Sequence, residues 1–455
     1  MRQPAAKEVT AVTSPMSTVE SARIDALVHE LRLDGDHPLI QPSSFTTDEA
    51  ARRRASVDEA AMSPLLASQL PLGLADVVIT PTSVGEIPVI VSAAVRLGIP
   101  LTARGRGTGN YGQGIPLHGG IVLDLRRLTA IVSTAQGSIT AEAGARLIDL
   151  DKTARLGGQE LAIMPSTVQS SLGGFLAGGS AGAGTISHGN TREGFVLALD
   201  VVHAVDGAEI IHVEGADVLP YLHSFGVLGI IVSATVRLVP APSWVALYAR
   251  FDAVSVAGSA FRSLAALDPA PKLISADDAA VAAALPGDDA LPAGAASLRT
   301  IVDESVLAEA ERIVADHGGT VTAARAGTAE ALKMSMLAYN HPAWWFLKAH
   351  AGEYFHLEVF GDVMIDDPER LRALFPEALL HLEYGHSVHF GTLILPYRAP
   401  ADIPSALEAL AAEGIGAHDC HSWVIDSRPE ELRARAAVTD PTGILNPGKF
   451  PIVDA

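Results

Sequence analysis

Cysteine is nearly absent from this chain: Cys420 is the only one in 455 residues. An intrachain disulfide is therefore excluded, and the expected setting is a reducing cytoplasm. Aromatic residues are scarce at 5%, which leaves a core of aliphatic side chains and alanine. Long apolar runs are missing too. The longest, Val227 to Ala234, has the length of a buried strand and falls short of the roughly 18 residues that suggest a membrane span. The first residues carry Arg2 and Lys7 but no apolar stretch, so no signal peptide is expected. Residues 1–17 read as a disordered extension. Positive charge is in deficit, with 32 Lys and Arg against 52 Asp and Glu, a net charge of −20. Nucleic acid and anionic membrane surfaces are poor partners for such a chain. An anionic ligand would need a local positive site.

What is present is glycine, concentrated in two places. Ala103 to Gly114 holds five glycines and two arginines in twelve residues, just after the apolar run Ile99 to Leu101. Glycine tolerates positive φ and lets backbone N–H groups crowd together. Such a concave run is an anion nest, and the Arg104 and Arg106 guanidiniums suit phosphate. A structural turn is the competing reading. A nucleotide-binding loop of the Rossmann type would lead straight into a helix. Tyr111-Gly112-Gln113-Gly114-Ile115-Pro116 forbids that, so any phosphate is gripped without a helix dipole. The second region, Pro165 to Gly189, is dominated by small side chains. It suits either tight helix packing or close approach of backbone to a flat ring system. Packing alone poorly explains two such regions about sixty residues apart.

The surrounding pattern is α+β, and the length suggests two to three domains. Val77–Ile79 reads as a strand. Thr80-Pro81-Thr82-Ser83 then leads into a helix, with Glu86 at capping-box spacing from Ser83. That helix runs through Ile87, Ile90, Val91, Ala94 and Leu97, and Gly98 and Pro100 end it. A first helix is expected over 18–33. Strands are expected over 121–125, 138–143, 198–204, 209–213 and 229–238, with Asp206-Gly207 as a hairpin turn, and a helix over 146–155. Composition shifts at Pro240-Ala241-Pro242. Residues 243–425 are richer in histidine and aromatics, with strands over 355–360 and 392–395 and an exposed loop over 284–296.

Taken together, several of these residues resemble the FAD-binding domain of the PCMH-type (vanillyl-alcohol oxidase / p-cresol methylhydroxylase) family. They are Pro81-Thr82-Ser83 with Glu86, Arg104-Gly105-Arg106-Gly107-Thr108, Ser171-Leu172-Gly173-Gly174, Ser187-His188-Gly189, Asp206-Gly207, Gly226 to Ile231 and Arg237 to Pro240. The tail Asp440-Pro441…Asn446-Pro447-Gly448-Lys449 resembles the ending of the glycolate-oxidase-subunit and D-lactate-dehydrogenase branch. The resemblance implies an FAD domain of two α+β subdomains and a ferredoxin-like cap over the isoalloxazine ring. The expected division is an FAD domain at 18–242, a cap at 243–425 and a segment at 426–455 returning to the FAD domain. By the same resemblance, Arg104, Gly105, Arg106, Gly107 and Thr108 hold the pyrophosphate, and Gly109, Asn110, Gly112 and Gln113 continue that site. Pro165, Ser166, Ser170, Gly173, Gly174, Gly178, Gly179 and Ser180 line the flavin, with His188 and Gly189 close by. Ile230 meets the adenine side, and Asn446 and Lys449 approach from the tail. Lys449 suits stabilisation of negative charge on a reduced flavin, or else is a solvated terminal lysine. Relatives with a histidyl-linked flavin carry a loop histidine where this chain has Thr108, so FAD is expected to be non-covalent.

The cap departs from the branch pattern. The hydroxy-acid relatives use a histidine-rich metal motif. Here His350-Ala351-Gly352-Glu353-Tyr354-Phe355-His356 is one residue short and lacks the Asp-Gly-Asn. No metal is expected, although Glu383, His386 and His389 are of suitable type to replace the missing ligands. His418-Asp419-Cys420-His421 lacks a second ligand pair for zinc. Oxidation of an alcohol needs a base, and neutral histidine or tyrosinate serves at neutral pH. The candidates are Tyr339, His341, His350, Tyr354, His356, His386 and His389. Trp344 and Trp345 suit an apolar pocket wall, while Arg398 and Lys348 suit a substrate carboxylate or plain solvation. The expected function is FAD-dependent hydride removal from a small alcohol or 2-hydroxy acid, with O2 or another electron acceptor closing the cycle. The alternatives are an oxidase of a secondary-metabolite alcohol, phenol or amine, and a non-catalytic electron-transfer subunit.

Overall fold

The computed structural model describes residues 21–451 except 34, 36, 37, 61–63 and 421. The expected extension at 1–17, Val19 of the first helix and His421 lie outside the described residues.

The described residues form three sheets with helices packed around them. The first contains β1 (Phe45–Thr46), β2 (Val77–Ile79), β3 (Leu101–Arg104) and β4 (Ile121–Asp124) in the order β1-β2-β4-β3. β2 and β3 run parallel to β4, so β2 and β3 need a crossover. Helix Glu86–Leu97 supplies it, burying Ile87, Ile90, Val91 and Ala94 at helical spacing. Gly98 ends it at φ +59°, a left-handed position that suits glycine. The start differs from the capping-box expectation. A turn carries Gly85 into the N-cap position, and Glu86 accepts hydrogen bonds from the Thr82 N–H and hydroxyl instead of pairing with Ser83.

The second sheet holds β5 (Ile131–Ala135), β6 (Ser138–Glu142), β7 (Gln159–Leu161), β8 (Val196–Val202), β9 (Ile210–Glu214) and β10 (Ile230–Pro240). Its order is β5-β6-β10-β8-β9, with β7 on the end of β10. The turn at Gly207, φ +69°, lies within a longer connection, because β8 and β9 pair only from Val202 and Ile210 onward. One apolar core spans both sheets, and Ile425, Leu432, Ile444 and Leu445 from the end of the chain belong to it.

Only three residues separate the end of β10 at Pro240 from Trp244, where the third sheet begins. It contains β11 (Trp244–Phe251), β12 (Leu273–Asp277), β13 (Ala296–Asp303), β14 (Thr320–Ala326), β15 (Tyr354–Phe360), β16 (Leu379–Glu383), β17 (Phe390–Pro396) and β18 (Gly416–His418). The order is β14-β11-β13-β12-β16-β17-β15-β18, antiparallel throughout. Alternation along the strands divides the sheet into two faces. One face buries Leu247, Leu298, Ala276, Leu382, Leu393 and Leu357 in a single apolar core. The other sets polar residues opposite one another across the strands: Tyr248 with Arg299, Asp277 with His381, Thr392 with Glu358, and Glu358 with His418. The 284–296 stretch is pinned rather than loose, because Asp288 holds Arg325 and Lys333 and Ala290 is buried.

Candidate functional site

The two glycine-rich regions meet. Thr108 Oγ1 lies 2.7 Å from Ser170 Oγ. A Cβ added at Gly105 would sit 1.9 Å from Ser171 Oγ, and one at Gly174 would sit 2.8 Å from the same atom. Ser171 Oγ is buried and has no hydrogen-bond partner among the described residues, an arrangement that ordinarily costs stability. Nearby, no described group accepts a hydrogen bond from the amides of residues 106–110. An unsatisfied hydroxyl, a row of available N–H groups and glycines that admit no side chain fit a bound pyrophosphate with its attached ring system. No helix follows the first loop, as its sequence requires.

The loop over 105–114 is braced from behind. The Asp58 carboxylate accepts from the Gly112 and Ala60 amides. Burial raises its pKa against the pull of these hydrogen bonds, Lys449 and Arg104. The Arg104 guanidinium is turned inward, donating to the Val57 carbonyl at 2.5 Å and filling the space a Cβ at Gly107 would need. Arg106 is exposed. The chain end returns beside β3, where Leu445 bridges to Leu101. Asn446, at φ +42°, donates to the Gln113 and Phe225 carbonyls. Lys449 is fully buried and not solvated. Its Nζ donates to the Gly112 carbonyl at 2.6 Å, and burial pushes its pKa down to about 7, with Asp58 acting the other way.

The second region begins with Pro165 and Ser166, both buried. It continues through helix Leu172–Gly178, where Gly173 packs on Ala143. Gly178 faces open space, Gly179 lies against the Phe175 ring, and Ser180 is exposed. Its far end is held by connections around the third sheet. The Tyr339 phenol donates to the Gly182 carbonyl, Gly184 N–H donates to the Lys272 carbonyl, and His386 Nδ1 lies 2.7 Å from the Ile186 carbonyl. Gly189, at φ +71°, follows helix Thr185–His188. His188 Nδ1 lies 2.9 Å from Arg237 Nη2, and burial and Arg237 lower its pKa. Ile230, buried, opens β10 opposite Val202. A buried ionic knot ties the same halves together. Glu160 accepts from Lys272 at 2.6 Å, from the Trp244 indole at 2.9 Å and from Arg155.

The catalytic candidates are dispersed: Tyr339 and His386 contact the second glycine-rich region, and His356 faces the first. It lines a small pocket with Asn110 and Tyr111 of the first glycine loop and with Asn340, Trp344 and Leu347. Its Nε2 lies 3.4 Å from the Tyr111 hydroxyl, and Asn340 Nδ2 donates to that hydroxyl at 3.4 Å. Tyr111 stays a phenol, because burial, then Cys420 and Glu358, raise its pKa well above the usual value. Tyr339 is no tyrosinate either: burial raises its pKa, and its proton is committed to Gly182. His350 and Tyr354 pack around Phe346, ring centroids 4.4 and 5.0 Å away. His341 Nδ1 is 2.7 Å from the Met336 carbonyl, and His389 stacks on Tyr384 near Asp362. Glu383, His386 and His389 therefore serve three different partners and do not converge as ligands. His418 pairs with Asp426 and Glu358. Burial opposes its charge, but these partners push its pKa up to about 10. Arg398 is paired with Glu377, and Lys348 covers the Trp344 ring at 4.6 Å. Asp58, Asn340 and the polar cluster under Tyr339 went unforeseen. No local motif marks them, since cross-strand register and chain crossing bring them into place.

Residues 75–213 match the family model described as an FAD binding domain. The chain is 32% identical over 172 residues to a D-lactate dehydrogenase of Archaeoglobus fulgidus, covering 36% of this chain and 39% of that protein. It is 32% identical over 196 residues to the glycolate oxidase subunit GlcD of Bacillus subtilis, covering 40% and 41%. The chain thus spans about two fifths of the length of these curated relatives. Across 98% of this chain and 89% of the other, the fold matches a solved alkyldihydroxyacetonephosphate synthase, with a TM-score of 0.70 at 17% identity.

Proposed function

We propose that this protein, whose residues 75–213 match an FAD binding domain, is a PCMH-type oxidoreductase that removes hydride from a small alcohol or 2-hydroxy acid. The contact between the two glycine-rich regions around Ser171 Oγ is the observation that carries the reading. Bound FAD supplies a hydride acceptor at N5. In our reading, residues 18–242 and 426–455 hold it, and residues 243–425 cover it as a cap. Non-covalent attachment is supported by Thr108, whose hydroxyl is engaged with Ser170. Substrate enters the Asn110–Tyr111–Asn340–His356 pocket. The Tyr111 phenol and Asn340 amide orient its hydroxyl, and His356 takes the hydroxyl proton. Trp344 and Leu347 exclude water. O2 or another acceptor completes the cycle, in a cytoplasmic setting suggested by the single cysteine. Among the described residues no helix is long and apolar enough to cross a membrane.

A second substrate reading comes from the pocket itself. Among the described residues, no lysine or arginine lines it, while Glu59 stands at its rim. That favours an apolar alcohol, phenol or amine over a carboxylate. The test is an absorption spectrum before and after acid precipitation, then anaerobic bleaching with 2-hydroxy acids and aryl alcohols. Yellow colour released to the supernatant and bleached by one class supports the function and selects the substrate. A protein that cannot be reconstituted with FAD sinks it. A yellow protein that no substrate reduces points to the electron-transfer subunit.

A further inference from the structure

The polar face of the third sheet carries a buried set of charges. Asp277, Arg299, His381 and Glu383 are all at most 1% exposed. Asp277 pairs with Arg299 and with His381 Nδ1 at 2.7 Å, and His381 Nε2 lies 3.1 Å from Glu383 Oε1. Burial opposes a charged His381, but the two carboxylates outweigh it and push its pKa up to about 9. Two carboxylates, a guanidinium and an imidazolium then balance, which is how buried charge is tolerated. Ser297 and Ser275 also bond the cluster within the sheet, and Glu383 reaches beyond it. Glu383 Oε1 accepts the Tyr339 backbone N–H at 2.6 Å. Tyr339 sits at φ +58°, an unfavourable conformation for a bulky side chain that surrounding structure must impose. The phenol, 7% exposed, donates to the Gly182 carbonyl. Gly182 in turn lies so close to Met164 that a Cβ there would be 2.2 Å from the Met164 carbonyl oxygen. Met164 and Ala183 exchange backbone hydrogen bonds at 2.9 and 2.8 Å.

We propose that Tyr339 is a positioning residue for the flavin: its phenol fixes Gly182, and with it the Met164–Pro165 backbone at the start of the second glycine-rich region, while Glu383 and the charges behind it hold the Tyr339 backbone in its left-handed conformation. The cap thereby shapes the cofactor site without touching substrate. The inference rests on FAD occupying that region.

The variants are Tyr339→Phe, which removes only the hydroxyl, Glu383→Gln, which keeps an acceptor oxygen but removes the charge, and their combination. Each purified apoprotein is titrated with FAD, and the visible circular dichroism of the bound flavin is recorded. Tyr339→Phe should raise the Kd for FAD about tenfold, the scale of one buried hydrogen bond, and change the flavin's dichroism. Glu383→Gln should act in the same direction. The double variant should bind no more than about twofold worse than the weaker single variant, because both substitutions act through one contact. Tyr339→Phe with wild-type affinity and dichroism overturns the inference, even if its apoprotein melts earlier. Multiplicative losses in the double variant overturn the coupling to Glu383. Should Tyr339→Phe not fold, Glu383→Gln with wild-type affinity and dichroism overturns it. A wild-type protein that binds no FAD fails the proposed function instead, so the two failures are distinct.

Discussion

The first glycine-rich region is braced by Asp58, Asn446 and Lys449, which contact the Gly112–Gln113 backbone. The second is held at its far end by Tyr339, Lys272 and His386, from connections between elements of the region that holds the third sheet. Both regions reach the same groove, but their supports differ in chemistry. The first relies on the Asp58 carboxylate, ahead of β2, and on an amide and a buried lysine with a pKa near 7 from the returning chain end. The second relies on a charged cluster in another sheet. Separating the third sheet from the rest should loosen the second region, whereas the first would lose the Tyr111 contacts to His356 and Asn340 but keep Asp58, Asn446 and Lys449.

The strongest way to break this contrast is Gly182→Ala. Its Cβ would lie 2.2 Å from the Met164 carbonyl oxygen and 2.6 Å from Pro165 Cα, and backbone cannot retreat as a flexible side chain would. Overpacking of this kind costs about 3 kcal/mol or more. The apoprotein should melt well below wild type, and FAD binding should fall with it. A melting temperature within a degree of wild type would show that residues 182–184 are not wedged between the two halves.

A smaller effect separates the supports by pH. Burial lowers the Lys449 pKa to about 7, so between that value and the unfolded value near 10.4 the unfolded chain binds more protons. Stability from this group rises with pH across that window. His381 is raised to about 9. Its contribution is complete below the unfolded value near 6.5 and is lost as pH climbs through 9. Each group changes stability by at most about 1.4 kcal/mol per pH unit, and between pH 7 and 9 the two nearly oppose. Lys449→Met should steepen the alkaline loss of apoprotein stability, and His381→Gln should flatten it. Thermal melts of the two variants from pH 7 to 9.5 check this. Parallel curves would mean that neither group titrates as its surroundings require.

Much of the first support's setting was legible in the sequence. Val77–Ile79 is short and wholly apolar, as a doubly buried parallel strand should be. Gly98 and Pro100 close the crossover helix, and Ile115-Pro116 denies one after the loop. The tail Asn446…Lys449 stood out as a motif. Its bond to Gly112 did not, because 337 positions separate Lys449 from that loop, and Asp58, which accepts from the Gly112 amide, carries no pattern. The second support was less legible still. Asp277 and His381 are 104 positions apart, and Tyr339 and Gly182 are 157 apart. Strand register places the first pair, and the docking of one sheet on another places the second. Single-residue chemistry therefore gave seven candidate bases, while geometry sets His356 against the first loop and turns Tyr339 into a brace.

The smallest expected effect sharpens where the cofactor lies. Gly178, at the end of helix Leu172–Gly178, has nothing within 4 Å of the position a Cβ would take, unlike Gly105, Gly173 and Gly182. Alanine there has room in the protein, and its conformation does not require glycine, so the apoprotein should change by no more than about 0.5 kcal/mol. If the open space beside Gly178 belongs to FAD, the same methyl group should weaken FAD binding several-fold while the apoprotein melt stays put. An unchanged Kd would move the flavin away from the end of this helix, toward Ser171 and the first loop. That outcome would leave the Tyr339 brace acting on the far side of the groove, which the Tyr339→Phe titration reads independently.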